Sequence, residues 1–156
     1  MKNYTSTVSP NRSIGLIEEM LVKFGALGVT KQYIKGVVSG LSFIIEAPDT
    51  KLPVTVLIPA QVESAYNVLL APAKRRNQWL SDVQKLKIRE QAERTAWRIV
   101  HDWVAIQLAM IEMDQAEFRQ VFMPYVTNAN GTTLYAFLKE QRIPALGYSP
   151  TEESKE

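Results

Sequence analysis

The chain has 156 residues, 46% of them hydrophobic, so it is long enough to bury a core in one compact domain. Its 18 basic and 16 acidic side chains give a formal net charge of +2, which excludes a polycation that coats nucleic acid over its whole surface. The chain has no cysteine, which excludes disulfides, thiol catalysis and cysteine-ligated metals. The start, MKNYTSTVSP, lacks the apolar run of a signal peptide, and later apolar stretches fall short of a membrane span. We therefore expect a cytoplasmic protein with no membrane partner.

A first helix is predicted near residue 13, because apolar residues recur there at spacings of three and four. These residues are Ile14, Ile17, Leu21 and Phe24. Ser13 can cap the start of this helix, and Gly25 or Gly28 can end it. Before the helix, the β-favouring residues at 4–8 predict an additional short strand.

After Gly28 the apolar pattern alternates, which predicts three antiparallel strands. They are expected in GVTKQYIKG, VVSGLSFIIEA and LPVTVLIP, with turns near Lys35 and in APDTK. The core-facing residues of the second strand would be Leu41, Phe43 and Ile45. Pro53 lacks a backbone donor, which favours a strand start or an edge, and Gly40 marks a candidate bulge.

From Pro59 onward the pattern is helical. A short second helix is predicted to end at Pro72, followed by a linker that carries the basic residues 74–76. Ser81 and Gln84 have the spacing of a capping box, and no proline or glycine interrupts the chain from there to about Met113. If continuous, that helix would be about 50 Å long. A break near Arg89 or Gln91 is the alternative.

The remaining elements are short. Asp114 and Glu117 repeat the capping-box spacing and predict a helix that Pro124 stops. The NANG segment predicts a turn, and TTLYAFLKEQ predicts a last helix. The sum is an α+β fold, with a small antiparallel sheet of three or four strands packed with helices and a helical C-terminal half around one long central helix. We expect one domain over 1–148, with a sheet-containing half at 1–72 and a helical half at 79–143, and a polar tail at 149–156.

The segment AERTAWRIVHDWVAIQLAMIEM contains Arg98, His101, Asp102 and Glu112, which together suggest a catalytic set. Most of its helical circumference is apolar, however, which predicts a core helix with Trp97 and Trp103 buried and an Arg98–Asp102 ion pair. His101 is the only histidine, which excludes a two-histidine zinc site, and no glycine falls in a phosphate-binding pattern. We predict a non-enzymatic protein with no catalytic residues, cofactor or metal, although a site made only of carboxylates stays open.

The most informative segment for function is APAKRRNQWLSDVQKLKIREQ. Six basic residues lie between positions 74 and 89, and Asp82 is the only carboxylate among them. Such clustering is typical of surfaces that contact phosphates, and an exposed tryptophan can stack on a base. The candidate nucleic-acid-binding residues are Lys74, Arg75, Arg76, Trp79, Lys85, Lys87 and Arg89. The alternative is an exposed, solvated linker that Trp79 anchors in the core.

Two resemblances accompany these patterns. The order of helix, three strands and helix over residues 13–71 resembles double-stranded-RNA-binding domains. That family places basic residues at the start of its second helix, which here opens PAQVESAYN, so none of its residue roles transfer. The segments AERTAWRIVHDWVAIQLAMIE, FMPYV and GTTLYAFLKE are similar to short uncharacterised proteins of bacterial phages and mobile elements. This second resemblance implies an origin and no activity.

The leading hypothesis is therefore an accessory or regulatory protein of a phage or mobile element. It would contact DNA or RNA without sequence preference, or a nucleic-acid-bound partner, through the basic segment. The alternative is a protein-interaction module, an inhibitor or assembly factor, that uses an exposed apolar patch of Phe118, Phe122 and Tyr125. The sequence leaves the oligomeric state open.

Overall fold

The computed structural model describes residues 3–141, which form five α-helices and one three-stranded sheet. The elements are α1 (Pro10–Phe24), β1 (Gly28–Ile34), β2 (Val37–Glu46), β3 (Pro53–Pro59), α2 (Val62–Arg76), α3 (Asp82–Glu112), α4 (Phe118–Phe122), a 3₁₀ turn (Met123–Tyr125) and α5 (Leu134–Glu140). The predicted α+β class is confirmed, and the long helix lies in the C-terminal half. The predicted tail at 149–156 lies outside the described residues.

Helix α1 begins earlier than predicted. Ser9, not Ser13, is its cap, because the Ser9 hydroxyl accepts a hydrogen bond from the Arg12 amide at 3.2 Å. Pro10 then occupies the first helical position, where its missing N–H costs nothing. Ser13 is buried inside the helix. The predicted end at Gly25 is confirmed, since this glycine has a φ of +116° and its N–H bonds the carbonyls of Leu21 and Val22.

The strand predicted at 4–8 is wrong. This segment forms a turn and a bend, and the carbonyls of Ser6 and of the preceding Asn3 accept from side chains of α3 instead of from a neighbouring strand. The Ser6 carbonyl accepts from Gln91 Nε2 at 3.1 Å and from Arg94 Nε at 3.2 Å, and the Asn3 carbonyl accepts from the Thr95 hydroxyl at 3.1 Å. These hydrogen bonds satisfy backbone acceptors that would otherwise be paired with a neighbouring strand.

The sheet has the order β1-β2-β3 with both pairs antiparallel. Lys35 and Gly36 join β1 to β2 with φ values of +49° and +80°. Positive φ at both residues is expected of a two-residue hairpin turn, because the twist of such a turn matches that of the flanking strands. The bulge predicted at Gly40 is found beside it. Gln32 faces Gly40 and Tyr33 faces Val38, so Ser39 is the extra residue. A Cβ on Gly40 would lie 3.0 Å from the Ile58 carbonyl oxygen, which explains the glycine.

One hydrophobic core joins the sheet to the helices. Alternate residues of β2 and β3 contribute to it, as do one face of α1, the middle and end of α3, and α4. Its largest fully buried members are Trp97, Phe43, Phe122, Ile14, Ile17, Leu21 and Leu41. The Phe122 ring meets Phe43 edge-on at a centroid distance of 5.7 Å, so α4 closes the core over the sheet.

Helix α3 is continuous, and the alternative of a break near Arg89 or Gln91 is wrong. Ser81 and Gln84 form the predicted capping box, with bonds of 3.2 and 2.9 Å. The buried residues of α3 begin only at Ala92. The first third of the helix therefore extends past the core.

Trp97 and Trp79 provide a test of this core, whereas Trp103, predicted to be buried, is only half-buried. Trp97 is 1% exposed, so Trp97→Ala is expected to destabilise the fold by about 3–5 kcal/mol through the cavity it leaves. Trp79→Ala is the matched control, because Trp79 is 88% exposed and its removal is expected to change stability by under about 0.5 kcal/mol. Urea unfolding followed by circular dichroism measures both, and equal losses would contradict the assignment of Trp97 to the core.

Candidate nucleic-acid interface

Helices α2 and α3 pack against each other as an antiparallel hairpin with its turn at 77–81. Arg89 of α3 bonds Glu63 near the start of α2, which fixes the two helices together on the side of the core. From that contact, α2 runs on for more than three turns, about 20 Å, to its end at Arg76. The hairpin therefore projects beyond the residues that anchor it.

The prediction that α2 ends at Pro72 is wrong. Pro72 lies inside the helix, which continues to Arg76. Proline in a helix interior costs about 3 kcal/mol, because it removes an N–H and crowds the preceding turn. Packing of α2 along α3, with Leu70 buried, offsets that cost here. The basic residues 74–76 consequently lie in a last helical turn, where positive charge interacts favourably with the helix dipole.

The hairpin end formed by residues 74–87, here called the basic tip, is exposed throughout except at Leu80. Within 3–141 its basic side chains form no ion pair with any carboxylate. These side chains are Lys74, Arg75, Arg76, Lys85 and Lys87. The tip thus presents five hydrated cations on a helical support, with Asp82 as the only acid among them.

Arg89, the sixth predicted contact, has another partner. Its guanidinium donates to both carboxylate oxygens of Glu63, at 2.9 and 3.3 Å, and lies 4.1 Å from the centroid of the Tyr66 ring. This bond lowers the pKa of Glu63 and raises that of Arg89. The structure therefore places Arg89 at the base of the hairpin, bound to α2. The sequence carries no signal for Glu63 as its partner, since 26 residues separate the two.

Trp79 lies in the turn of the hairpin and is 88% exposed, so the alternative in which it anchors the linker in the core is wrong. Its backbone N–H donates to the Asn77 side-chain oxygen at 2.9 Å, which shapes the turn. Leu80, the next residue, is half-buried. A free indole face beside several cations matches the arrangement that stacks nucleic-acid bases.

Val83 and Leu86 are exposed apolar residues of the tip that the sequence analysis did not single out. Both lie in the first turns of α3, before the buried part of the helix begins. Their position among the lysines, before the apolar pattern of the core helix begins, was the signal in the sequence that could have identified them as exposed. They give the tip an apolar component besides its charge.

The apolar patch predicted at Phe118, Phe122 and Tyr125 is not exposed. Phe118 is 5% and Phe122 0% exposed, and both belong to the core, while half-buried Tyr125 packs against Trp103 with ring centroids 5.3 Å apart. The sequence pattern showed a short amphipathic helix but not which side it would cover. Its apolar side closes the core over β2 and β3.

The four residues that suggested a catalytic set are not all brought together. Arg98 pairs with Asp102 at 3.4 Å, as predicted, and His101 Nδ1 lies 2.9 Å from the same carboxylate. The Asn3 side chain donates to Asp102 at 2.9 Å, so this group holds the N-terminal segment on α3. Glu112 lies ten residues further along the helix, about 15 Å away.

Two further observations concern residues 3–141 as a whole. No group of three histidine or carboxylate side chains there is placed to hold a metal ion. No helix among these residues has both the length and the apolar character needed to cross a bilayer.

Comparison with known proteins found no matching family model, no matching curated protein and no matching solved structure. The geometry of the basic tip therefore carries the functional argument alone.

The Glu63–Arg89 contact predicts a pH dependence. A carboxyl group whose pKa is lower in the folded state stabilises the fold above its ordinary pKa, and this contribution is lost as the pH falls through the folded value. Glu63→Gln is expected to lower the midpoint of thermal unfolding slightly near neutral pH. Below the carboxyl range the variant and the parent should unfold together.

The matched control is Glu19→Gln, which removes an exposed carboxylate with no ion pair among residues 3–141. It is expected to leave the pH profile of the unfolding midpoint unchanged. A Glu63→Gln profile parallel to that of the parent at every pH would show that the contact does not stabilise the hairpin.

Proposed function

We propose that this protein is a non-enzymatic accessory or regulatory protein that binds the phosphate backbone of nucleic acid through the basic tip. One observation carries the proposal: five exposed cations without carboxylate partners within 3–141 lie beside a free tryptophan on a projecting helical hairpin. Phosphate contacts of this kind give affinity without sequence preference. The resemblance to proteins of phages and mobile elements fits such a role.

Helix geometry divides the cations of the tip into two groups. Lys85 precedes Arg89 by four residues, so both lie on the face of α3 that is directed toward α2. Lys74 lies eleven residues after Glu63, about three full turns of α2, so Lys74 and Lys85 both lie near the contact between the two helices, and Arg75 and Arg76 follow Lys74 in the last turn of α2. Lys87 is two residues from Lys85, about 200° around the helix, and points away. We propose that the first four make the principal phosphate contacts, with Trp79 between the two helices.

Salt dependence is the direct test. Four phosphate contacts on duplex DNA give a slope of about −3.6 in log affinity against log salt, so affinity should fall about 150-fold between about 50 and 200 mM. Replacing Lys74, Arg75 and Arg76 with Glu should weaken binding to all sequences alike and flatten the slope by about 2.7. Fluorescence anisotropy with labelled duplexes at several salt concentrations measures both quantities.

Two controls sharpen this test. Replacing Arg12, Lys23 and Lys139 with Glu makes the same change in net charge at exposed positions outside the tip, and should leave the slope unchanged. Lys85→Gln should flatten the slope by about 0.9, whereas Lys87→Gln should not. If a folded triple variant binds as the parent does, or the parent does not bind at low salt, the basic tip is a solvated surface and the proposal fails.

Trp79 predicts a preference between strand types. Stacking on an unpaired base contributes about 1–3 kcal/mol, so Trp79→Ala should weaken binding to single strands by about 5- to 150-fold. Duplex binding should change little, because paired bases offer no free face to the indole. Trp79→Phe keeps an aromatic ring and should retain most of the single-strand affinity. Equal losses for single strands and duplexes in Trp79→Ala would remove stacking from the proposal.

A protein-interaction module is the second candidate function, and the exposed side chains of Val83 and Leu86 beside Trp79 favour it. Apolar groups on a helical surface are what a partner protein would cover. This candidate predicts that the protein does not bind nucleic acid even at about 50 mM salt. The same anisotropy titration therefore decides between the two.

A further inference from the structure

A half-open apolar groove lies at the end of the molecule away from the basic tip. Its cavity of about 470 Å³ falls within the range of known ligand sites. The larger apolar side chains that line it come from β3, α4, the 3₁₀ turn and the residue after it, and α5. They are Val54, Phe118, Met123, Val126, Leu134 and Phe137.

The groove is incompletely covered by residues 3–141. Met123 is 44% and Phe137 45% exposed, although both side chains are large and apolar. Helix α5 has no fully buried residue, and Leu138 is also exposed. A helix of seven residues is too short to be stable by itself, so it depends on packing that the described residues supply only in part.

Most polar groups at the rim already have partners. Arg119 pairs with Asp49 at 2.6 Å, and the Thr127 hydroxyl donates to the Thr55 carbonyl at 3.3 Å. The Asn128 side-chain oxygen accepts from the amides of Asn130 and Thr132, both at 3.0 Å. An occupant of the groove therefore has to be mainly apolar, since few rim groups remain to bind a charged or strongly polar molecule.

The chain itself supplies a segment of that chemistry within reach. The residues that follow α5 read RIPALGY from position 142, with Ile143, Leu146 and Tyr148 as the large apolar side chains. Phe137 forms part of the groove wall, and Gln141 is only about 6 Å further along the helix axis. Five extended residues span up to about 18 Å, which brings Leu146 within range of the whole groove.

We propose that residues 143–148 of this chain are the occupant of the groove, with Ile143 and Leu146 as the apolar side chains that it takes up. The short tether gives the segment an effective concentration in the millimolar range, which favours it over a free molecule of similar affinity. Occupation would complete the packing of α5 and close the apolar surface. A second copy of the chain and a free apolar ligand are the rival occupants.

The lack of native cysteines makes a disulfide test clean. Met123→Cys with Leu146→Cys places one thiol in the groove wall and one in the segment. Val83→Cys with Leu146→Cys is the matched control, because Val83 is also exposed but lies about 40 Å along α3 from Ile111 at the opposite end. Both full-length variants are oxidised at low protein concentration, and the bond is followed by intact mass and non-reducing gels.

The first pair is expected to form an intramolecular disulfide at least about tenfold faster than the control pair. Equal rates in the two pairs would overturn the proposal. A disulfide that forms mainly between chains, with a dimer on the gel, would also overturn it in favour of a second copy.

A second measurement needs no new bond. Ile143→Asp with Leu146→Asp makes the segment unsuited to an apolar groove, so the full-length variant should bind the apolar dye anilinonaphthalene sulfonate more strongly than the parent. Ser149→Asp with Thr151→Asp adds the same charge to the following residues and should leave dye binding unchanged. Dye binding by the first variant equal to that of the parent would contradict occupation of the groove by this segment.

Discussion

Helix α3 is longer than the core against which it packs, and most features of this protein follow from that constraint. Its 31 residues span about 46 Å, but its buried residues begin at Ala92, ten residues after the helix starts. From Ala92 onward the helix supports α1, the sheet and α4 through Trp97, Val104 and Leu108. The residues before Ala92 are exposed or half-buried and Arg89 among them bonds α2, so this part projects as one side of a hairpin.

A projecting hairpin needs something to hold its two helices together, because its exposed end contributes little apolar burial. The bidentate bond from Arg89 to Glu63 and the packing of the same guanidinium on Tyr66 lie where the hairpin leaves the core. The capping box of Ser81 and Gln84 stabilises the other helix end at the turn. The helices of the hairpin therefore hold the basic side chains of the tip close together, whereas in a flexible linker their positions would vary.

The two ends of the molecule differ in chemistry. The basic tip is charged and hydrated, with one exposed indole, whereas the groove beside α5 is apolar and most of its polar rim groups are paired. Binding of a polyanion at the tip and covering of the groove therefore draw on different interactions. Added salt weakens the binding of a polyanion at the tip. The area of apolar surface removed from water determines how strongly the groove is covered.

The local patterns of the sequence by themselves determined the α+β class, the β1–β2 hairpin, the turn at Lys35 and Gly36, the capping box at Ser81 and the central position of Trp97. Each of these depends on residues close in the chain, whose spacing or backbone preference expresses the structure directly. Only the tertiary structure decided the rest. Helix α2 continues past Pro72 because it packs on α3. The segment at 4–8 forms no strand, and side chains of α3 donate to the carbonyls of Ser6 and of the preceding Asn3.

The candidate site divides in the same way. The charge cluster and Trp79 could be recognised from composition, because charges and an aromatic ring at short spacing are visible in any linear stretch. That Arg89 belongs to the hairpin base, that Trp79 is exposed and that Phe118 and Phe122 are buried depended on contacts between segments far apart in sequence. Such contacts are selected by how whole elements pack, and no local pattern in the chain records them.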